Sequence, residues 1–543
     1  MAARDHMARN NSHNVYSRYI GSFFLIFAFL EFSRNLLQMK HVSFDDYDLY
    51  RFDQPSVSYP INSHTNHTHT HTRTRTRTQT ENTKPKTTVA FAVSVTHYNK
   101  HNKNENGYYH MDRAAVLHQS IKVAMQKSLR YDYHIYAFVH PDAVDAKPWL
   151  ERLGYRVQIR DTPFNISEIP NPALIQAQSN GCCKEKEYLK LYSYLLSDYP
   201  VAVHMDLDAI VLRPMDDLFD VMTMTTNENT NTMTNASRER AARSSSSSSS
   251  SFARHNHQVL ESFARTSTMW INNSQNNINS THASNTILDD PAKINFMFTR
   301  DYNMVDPSDP PYKHPYQIGV QGGFLVIRPN QRDFDRMLEI ILTGGKGYTI
   351  GSGWGGSKLG YGGYYGAATI QGLASFYYDH HEKATRSVEL NRCKYNTMVD
   401  DPHDFDEDIN RTLCRTTEGD GECEDCRETK LKEVYTAHFT VCGKPEWCEI
   451  LHQQKQRLCW QLMRKWHKIR LSLELEWMNR FSSIDDEDEH GESTTSLYIP
   501  KFSKQKEKLR FTMGHCEGKD KYIPLLYPTA GKNKLQSDGA TLI

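Results

Sequence analysis

Two carboxylates, Asp206 and Asp208, close an apolar run in VAVHMDLDAIVLRPMDDLF. Residues i and i+2 of a strand face the same side, so both acids can approach one cation, directly or through water. Hard oxygen donors favour Mg²⁺ or Mn²⁺, and an imidazole among the ligands tilts the choice to Mn²⁺. A divalent cation held at a strand end can carry a nucleotide diphosphate. The tripeptide alone says little, since Asp404 and Asp406 form another. The apolar strand in front of the first pair is what sets it apart. Asp216 and Asp217 read differently, as solvated acids or a cap for the helix suggested by PMDDLFD.

The elements that must position this pair follow from the hydrophobic pattern. VAFAVSV, from Val89 to Val95, is a continuous apolar run rich in β-branched residues, as expected of a buried parallel strand. Leu117, Ile121, Ala124 and Met125 then recur at helical spacing. Further strands are expected at Tyr133 to Val139, Tyr155 to Ile159, Val201 to Met205 and Gly322 to Pro329. Tyr188, Leu191, Tyr192, Leu195 and Leu196 stripe one face of a helix, and Leu458, Leu462, Trp466, Ile469 and Leu473 mark another. Alternating strands and helices imply an α/β fold with a mostly parallel, doubly wound sheet, whose ligands lie at the carboxyl ends of the strands. The Asp pair stands at such an end. A glycine-dense loop, TGGKGYTIGSGWGGSKLGYGGYYG, fails the pattern of a phosphate-binding P-loop. Its Trp354, Tyr361, Tyr364 and Tyr365 are candidates to stack on sugar rings.

The bulk of the chain bounds its setting. Its 543 residues carry no net formal charge, so no global field draws it to nucleic acid. Residues 1–37 read as a short tail and a signal-anchor built on IGSFFLIFAFL, with a cleaved signal as the alternative. Residues 38–87, ending in His–Thr and Arg–Thr repeats, read as a disordered stem. The catalytic domain is expected over 88–480, interrupted by a low-complexity insertion at 222–290, with 481–543 as an acidic linker and tail. Eight of the ten cysteines lie between Cys393 and Cys516, a clustered even set that reads as a disulfide framework of an oxidising compartment. A zinc site built on Cys423, Cys426, His438 and Cys442 is the rival reading. Sequons stand at Asn66, Asn165, Asn235, Asn272, Asn279 and Asn410. Together these features suit a single-pass type II protein of the Golgi or another secretory membrane, its bulk in the lumen.

Several landmarks fall in one order from about residue 89 to 450. The opening strand ends in Val95-Thr96-His97, with Tyr108 beyond, and Lys190-Leu191 lies 16 residues before Asp206. DLDAIVLRPMDDLF, QGGFLVIRP and AHFTVCGKPEW follow. The series resembles family 8 glycosyltransferases, the retaining group that includes glycogenin and the galactinol synthases. That resemblance implies a GT-A type nucleotide-diphospho-sugar transferase fold and metal-assisted hexosyl transfer with retention. The donor would be a nucleotide sugar, UDP-linked by the same resemblance, and the acceptor a carbohydrate or glycoconjugate. It assigns Asp206, Asp208 and His438 to the metal, and Thr96, Tyr108, Lys190, Gly443 and Lys444 to the nucleotide and its phosphates. Gln371 and Gln321 become candidates for contact with the transferred sugar. The chain departs from the family where Ile370-Gln371-Gly372 replaces Asp-Gln-Gly, and where Glu446 is inserted before Trp447; Asp306 and Asp309 are candidates to replace the missing acid. Two other readings compete: a nucleotidyltransferase on a similar sheet, which would release pyrophosphate, and a lumenal carbohydrate-binding protein without turnover.

Overall fold

The computed structural model describes residues 85–98, 107–178, 183–223, 294–304, 318–356, 366–381, 387–406, 411–415, 423–449, 457–482, 515–517 and 520–525. All fall in one compact unit, Thr83–Ile543. The apolar segment at 20–30, residues 38–84 of the expected stem and nearly all of the 222–290 insertion lie outside the described residues, as do Asp306, Asp309, Tyr361, Tyr364 and Tyr365. Among the described residues no helix is long and apolar enough to cross a membrane.

The chain opens with β1 (Thr87–Val95), α1 (Gly107–Met125), β2 (Tyr131–Val139), α2 (Lys147–Leu153), β3 (Arg156–Ile159) and α3 (Pro172–Gln178). A run of tight 3₁₀ turns, Lys184–Leu195, leads into β4 (Ala202–Met205), β5 (Ala209–Val211) and α4 (Asp216–Thr223). Then come β6 (Phe296–Arg300), β7 (Val320–Ile327), α5 (Gln331–Leu342) and α6 (Ile370–Phe376). The C-terminal third adds β8 (Ser387–Glu389), β9 (His403–Asp406), β10 (Arg411–Cys414), β11 (Thr436–His438) and α7 (Arg457–Ser482).

The main sheet has seven strands in the order β3-β2-β1-β4-β7-β6-β8. β3, β2, β1 and β4 are mutually parallel, as the hydrophobic runs predict. β7 runs against both β4 and β6, while β8 returns parallel to β6. The reversal carries a consequence for the site: the amino end of β7 meets the carboxyl end of β4. Strand order reverses between β1 and β4, the place where a doubly wound sheet opens a crevice. Side chains alternate across the sheet. Phe91, Val93, Phe324 and Val326 pack with α1 and α4, while Leu325, Ile327, Phe296 and Phe298 pack with the 3₁₀ run, α5 and α6.

Three expectations change in the structure. The 188–196 stripe forms 3₁₀ turns in place of an α-helix; such turns eclipse residues i and i+3, which sets Glu187 over Lys190 at 2.8 Å. Trp354 is wholly buried against Tyr348 and donates its indole N–H to the Ala367 carbonyl at 2.6 Å, so it belongs to the core and has no face free for a sugar. The zinc reading is overturned, because Cys393–Cys426, Cys414–Cys423, Cys442–Cys459 and Cys448–Cys516 are disulfides. The last of these also ties Cys516, within the 481–543 segment, to the loop after β11. Cys516 and Leu525 are buried, and Tyr522 and the Leu525 N–H both donate to the Asp112 carboxylate of α1. Asp216 and Asp217 are structural: they accept from the Leu129 and Arg130 backbone and from the Arg130 guanidinium.

Candidate active site

Backbone pairing brings the Asp pair and His438 together. The Asp206 N–H donates to the Gly323 carbonyl at 3.1 Å, which fixes the acid beside the start of β7. Two residues on, β5 pairs antiparallel with β11, placing His438 opposite Ala209, and the Phe439 N–H donates to the Asp208 carbonyl. His438 Nε2 then lies 3.1 Å from Asp208 Oδ1 and 3.7 Å from Asp206 Oδ2. One ligand atom from each of the three residues falls within 4.8 Å of the others. Two carboxylates and an imidazole form a donor set suited to a divalent cation, and their spacing fits one ion. His438 Nδ1 is buried and has no hydrogen-bond partner, so backbone pairing and packing orient the ring.

The packing that orients the ring comes from glycine. A Cβ on Gly323 would stand 2.4 Å from His438 Cε1, 2.5 Å from Nδ1 and 2.8 Å from Gln321 Oε1. Only a residue without a side chain lets the imidazole reach the carboxylates here. Gly322 is the matching hub on the other side. Its carbonyl accepts from Lys190 at 3.2 Å and its N–H donates to Gln371 Oε1 at 2.9 Å.

Two lysines flank the acids. Lys190 is buried and bonds Asp206 Oδ1 at 2.9 Å, Glu187 at 2.8 Å and the Gly322 carbonyl. Those contacts use the three N–H donors of an ammonium. Burial alone would lower the Lys190 pKa, yet Asp206 and Glu187 hold it above the ordinary lysine value. Lys444, beyond the buried left-handed Gly443 (φ 75°), pairs with Asp208 on the opposite side. Burial would raise the Asp208 carboxyl, but His438, Lys444 and Arg113 hold it well below the usual carboxylate range.

The other sequence-predicted residues distribute as follows. Thr96 follows β1 directly and is half-buried; Tyr108 lies in the first turn of α1, with its side chain outside the described set. Gln371 sits beside Lys190 across Gly322, because a Cβ on Gly322 would meet Gln371 Cγ at 3.0 Å and Lys190 Nζ at 3.4 Å. Gln321 is buried, and its carbonyl accepts from the Gly323 N–H and from Asn396 Nδ2 at 3.2 Å. Its oxygen is therefore committed to the floor beneath His438. Sequence reasoning missed Asp301, which is buried near His438 and Asp400; burial foremost, with the Asp400 charge, pushes its carboxyl up to about 6. The TRD that ends β6 was its only trace, and β6 itself was not anticipated. Arg113, discussed below, gave no signal beyond one basic residue on an apolar helix.

Fold and site together define an α/β, GT-A type arrangement: a mixed sheet with helices on both faces and an acid–acid–imidazole cluster at its switch point. No family model and no curated protein matches the sequence. Among solved structures, the chain is similar to the galactosyltransferase LgtC in complex with donor and acceptor sugar analogs. That overlap has 11% identity, covers 71% of this chain and 95% of that one, and has a TM-score of 0.34. Mouse xyloside xylosyltransferase 1 in its apo form overlaps 58% of this chain and 87% of its own, at 9% identity and TM-score 0.30. The apo glycosyltransferase GlyE of Streptococcus pneumoniae overlaps 73% and 64%, at 9% identity and TM-score 0.30. At these scores the likeness is one of general layout.

Proposed function

We propose that the protein is a glycosyltransferase of the family 8 kind, moving a hexose from a UDP-linked or similar nucleotide sugar to a carbohydrate or glycoconjugate, with retention. The observation that carries the reading is the Asp206–Asp208–His438 cluster with Lys190 and Lys444 on its two sides. The three ligands would hold Mn²⁺ or Mg²⁺, which supplies positive charge to a nucleoside diphosphate as it departs. Lys190, its donors already engaged, keeps Asp206 and Gly322 in place. Lys444 is the cation able to trade its carboxylate partner for a phosphate oxygen. As the sugar–phosphate bond breaks, charge gathers on the diphosphate, and Lys444 stabilises it most in the transition state. Gln371, hydrogen-bonded to Gly322, would contact the transferred sugar. The N-terminal apolar segment and the disulfides support a type II membrane protein with its catalytic domain in the Golgi or a related lumen.

The test is turnover of a nucleotide-sugar panel with Mn²⁺ by the full chain and its Asp206→Asn and Asp208→Asn variants. Release of nucleoside diphosphate that falls about 10²-fold or more in each variant is expected. Undiminished metal-dependent turnover in both variants would sink the reading. Release of pyrophosphate would move the protein to the nucleotidyltransferases, and metal-dependent binding without turnover to the carbohydrate-binding proteins.

A further inference from the structure

The reaction above uses neither Arg113 nor Glu446, although both border the Lys444 loop. Arg113 projects from α1, one residue after Asp112, which Tyr522 and Leu525 tie down. Its Nε donates to Glu446 Oε1 at 2.6 Å, and Nη2 donates to the same oxygen. Among the described residues no partner is found for Nη1. Glu446 is fully buried, and its second oxygen has no hydrogen-bond partner. Such a pair is poor value as a stabiliser, because desolvation of both groups offsets their attraction.

Its location is more informative. Glu446 stands two residues after Lys444, whose ammonium pairs with Asp208, so the Glu446 contact sets Arg113 beside that loop; the same guanidinium helps depress the His110 imidazole, whose pKa is lowered to about 4 chiefly by burial. His110 in turn feels Asp208, His97 and Lys444. Arg113 of α1 and Lys444 of the loop after β11 are thus joined through the short stretch from Lys444 to Glu446, beside Asp208. A guanidinium with one edge locked by a carboxylate presents its other donors at low entropic cost, which suits a phosphate.

We propose that Arg113 is a binding residue for the diphosphate of the nucleotide, reaching it through Nη1, and that Glu446 is its positioning residue. The assignment rests on the glycosyltransferase reading. It gives a purpose to the glutamate inserted between Pro445 and Trp447: it aims an arginine, where a plain loop would carry only Lys444.

Replacing Arg113 alone strands a buried Glu446, so the informative variant is Arg113→Met with Glu446→Met, which removes both charges. The full chain is titrated with UDP, with GDP in parallel, in saturating Mn²⁺; uridine and Mn²⁺ alone are the controls. UDP binding in the double variant is expected to weaken about ten- to a hundredfold, the loss of one charge-assisted hydrogen bond. Uridine and Mn²⁺ affinities should stay within about twofold of wild type, since neither probe carries a phosphate for the lost contact. Glu446→Gln, which keeps the guanidinium and a hydrogen-bond acceptor, should lie between the two. Unchanged UDP binding in the double variant overturns the Arg113 assignment alone. Equal loss of UDP, uridine and Mn²⁺ also overturns it, marking a merely structural pair. A wild-type protein that binds no nucleoside diphosphate overturns the glycosyltransferase reading and Arg113 with it.

Discussion

Two buried polar clusters are built from nearly the same side chains and do opposite things. At the strand ends, Asp206, Asp208, His438, Lys190 and Lys444 pair among themselves, with the acids 31% and 14% exposed. Behind α1, Arg470 and Glu474 of α7 pair at 3.3 Å, His515 bonds Glu474 at 2.8 Å, and Arg470 lies over the Tyr522 ring, with Arg470, Glu474 and His515 exposed by at most 1%. The first cluster is open on the Lys444 side, so Lys444 can yield its partner to a ligand while Lys190 stays engaged. The second is sealed by the 515–525 segment and the Cys448–Cys516 bridge, and serves to hold the loop that carries Lys444 and Glu446. Access, more than residue type, separates a site from a staple.

The widest gap between the clusters should appear in catalysis. His438→Ala is expected to lower initial rates about 10²- to 10³-fold, with excess Mn²⁺ restoring part of the loss and thermal stability little changed. A variant that loses activity only by unfolding would erase the distinction. A smaller effect on the same site is expected from Gly323→Ala, whose methyl would collide with the His438 ring. Mn²⁺ titration should show affinity down about ten- to a hundredfold, as for a displaced ligand orientation.

On the sealed side the changes should be in stability. Cys448→Ser with Cys516→Ser is expected to cost about 2–4 kcal/mol in urea unfolding while Mn²⁺ affinity is retained. Acid should act here as well. Burial, with Arg470 beside it, holds the His515 pKa down to about 2, so below pH 6.5 the unfolded chain takes a proton that the folded chain refuses. Stability then falls as pH drops, and His515→Gln should recover about 2 kcal/mol of the loss between pH 7.5 and 5. A wild-type stability that is flat over that interval would remove His515 from the sealed set. The baseline is Asn330→Ala, at the N-cap of α5 and remote from both clusters, expected to cost about 1 kcal/mol with no change in metal binding.

The sequence announced what depends on local pattern. β1, β2 and β4 were legible as apolar runs, and the Asp pair at the end of β4 was legible from its strand. α7 showed its stripe of Leu458, Leu462, Trp466 and Ile469. What it concealed depends on pairing between distant segments. β5 and β11 have only three residues each, too few to show a period, yet their pairing is what delivers His438. The direction of β7 is not written in its hydrophobicity, and that direction puts Gly322 and Gly323 beside Asp206. Lys190 and Lys444 were legible only through resemblance, and the hydrogen bonds of Gln321 to Gly323 and Asn396 are tertiary facts with no local signal. Arg113 and Glu446 were invisible as a pair, being 333 residues apart.

That separation has a meaning in time as well as in space. Synthesis runs from β1 toward α7, and β11 and the Lys444 loop, made more than 200 residues after Asp206, complete the cluster begun there. The earlier part of the chain can assemble most of the central sheet while carrying only Asp206 and Asp208 of the three clustered residues. It gains the third only when the cysteine-rich portion has emerged and begun to cross-link. Products terminated before β11 would then carry Asp206 and Asp208 without His438 or Lys444. The cluster is thereby complete only once the carboxyl-terminal third has begun to fold.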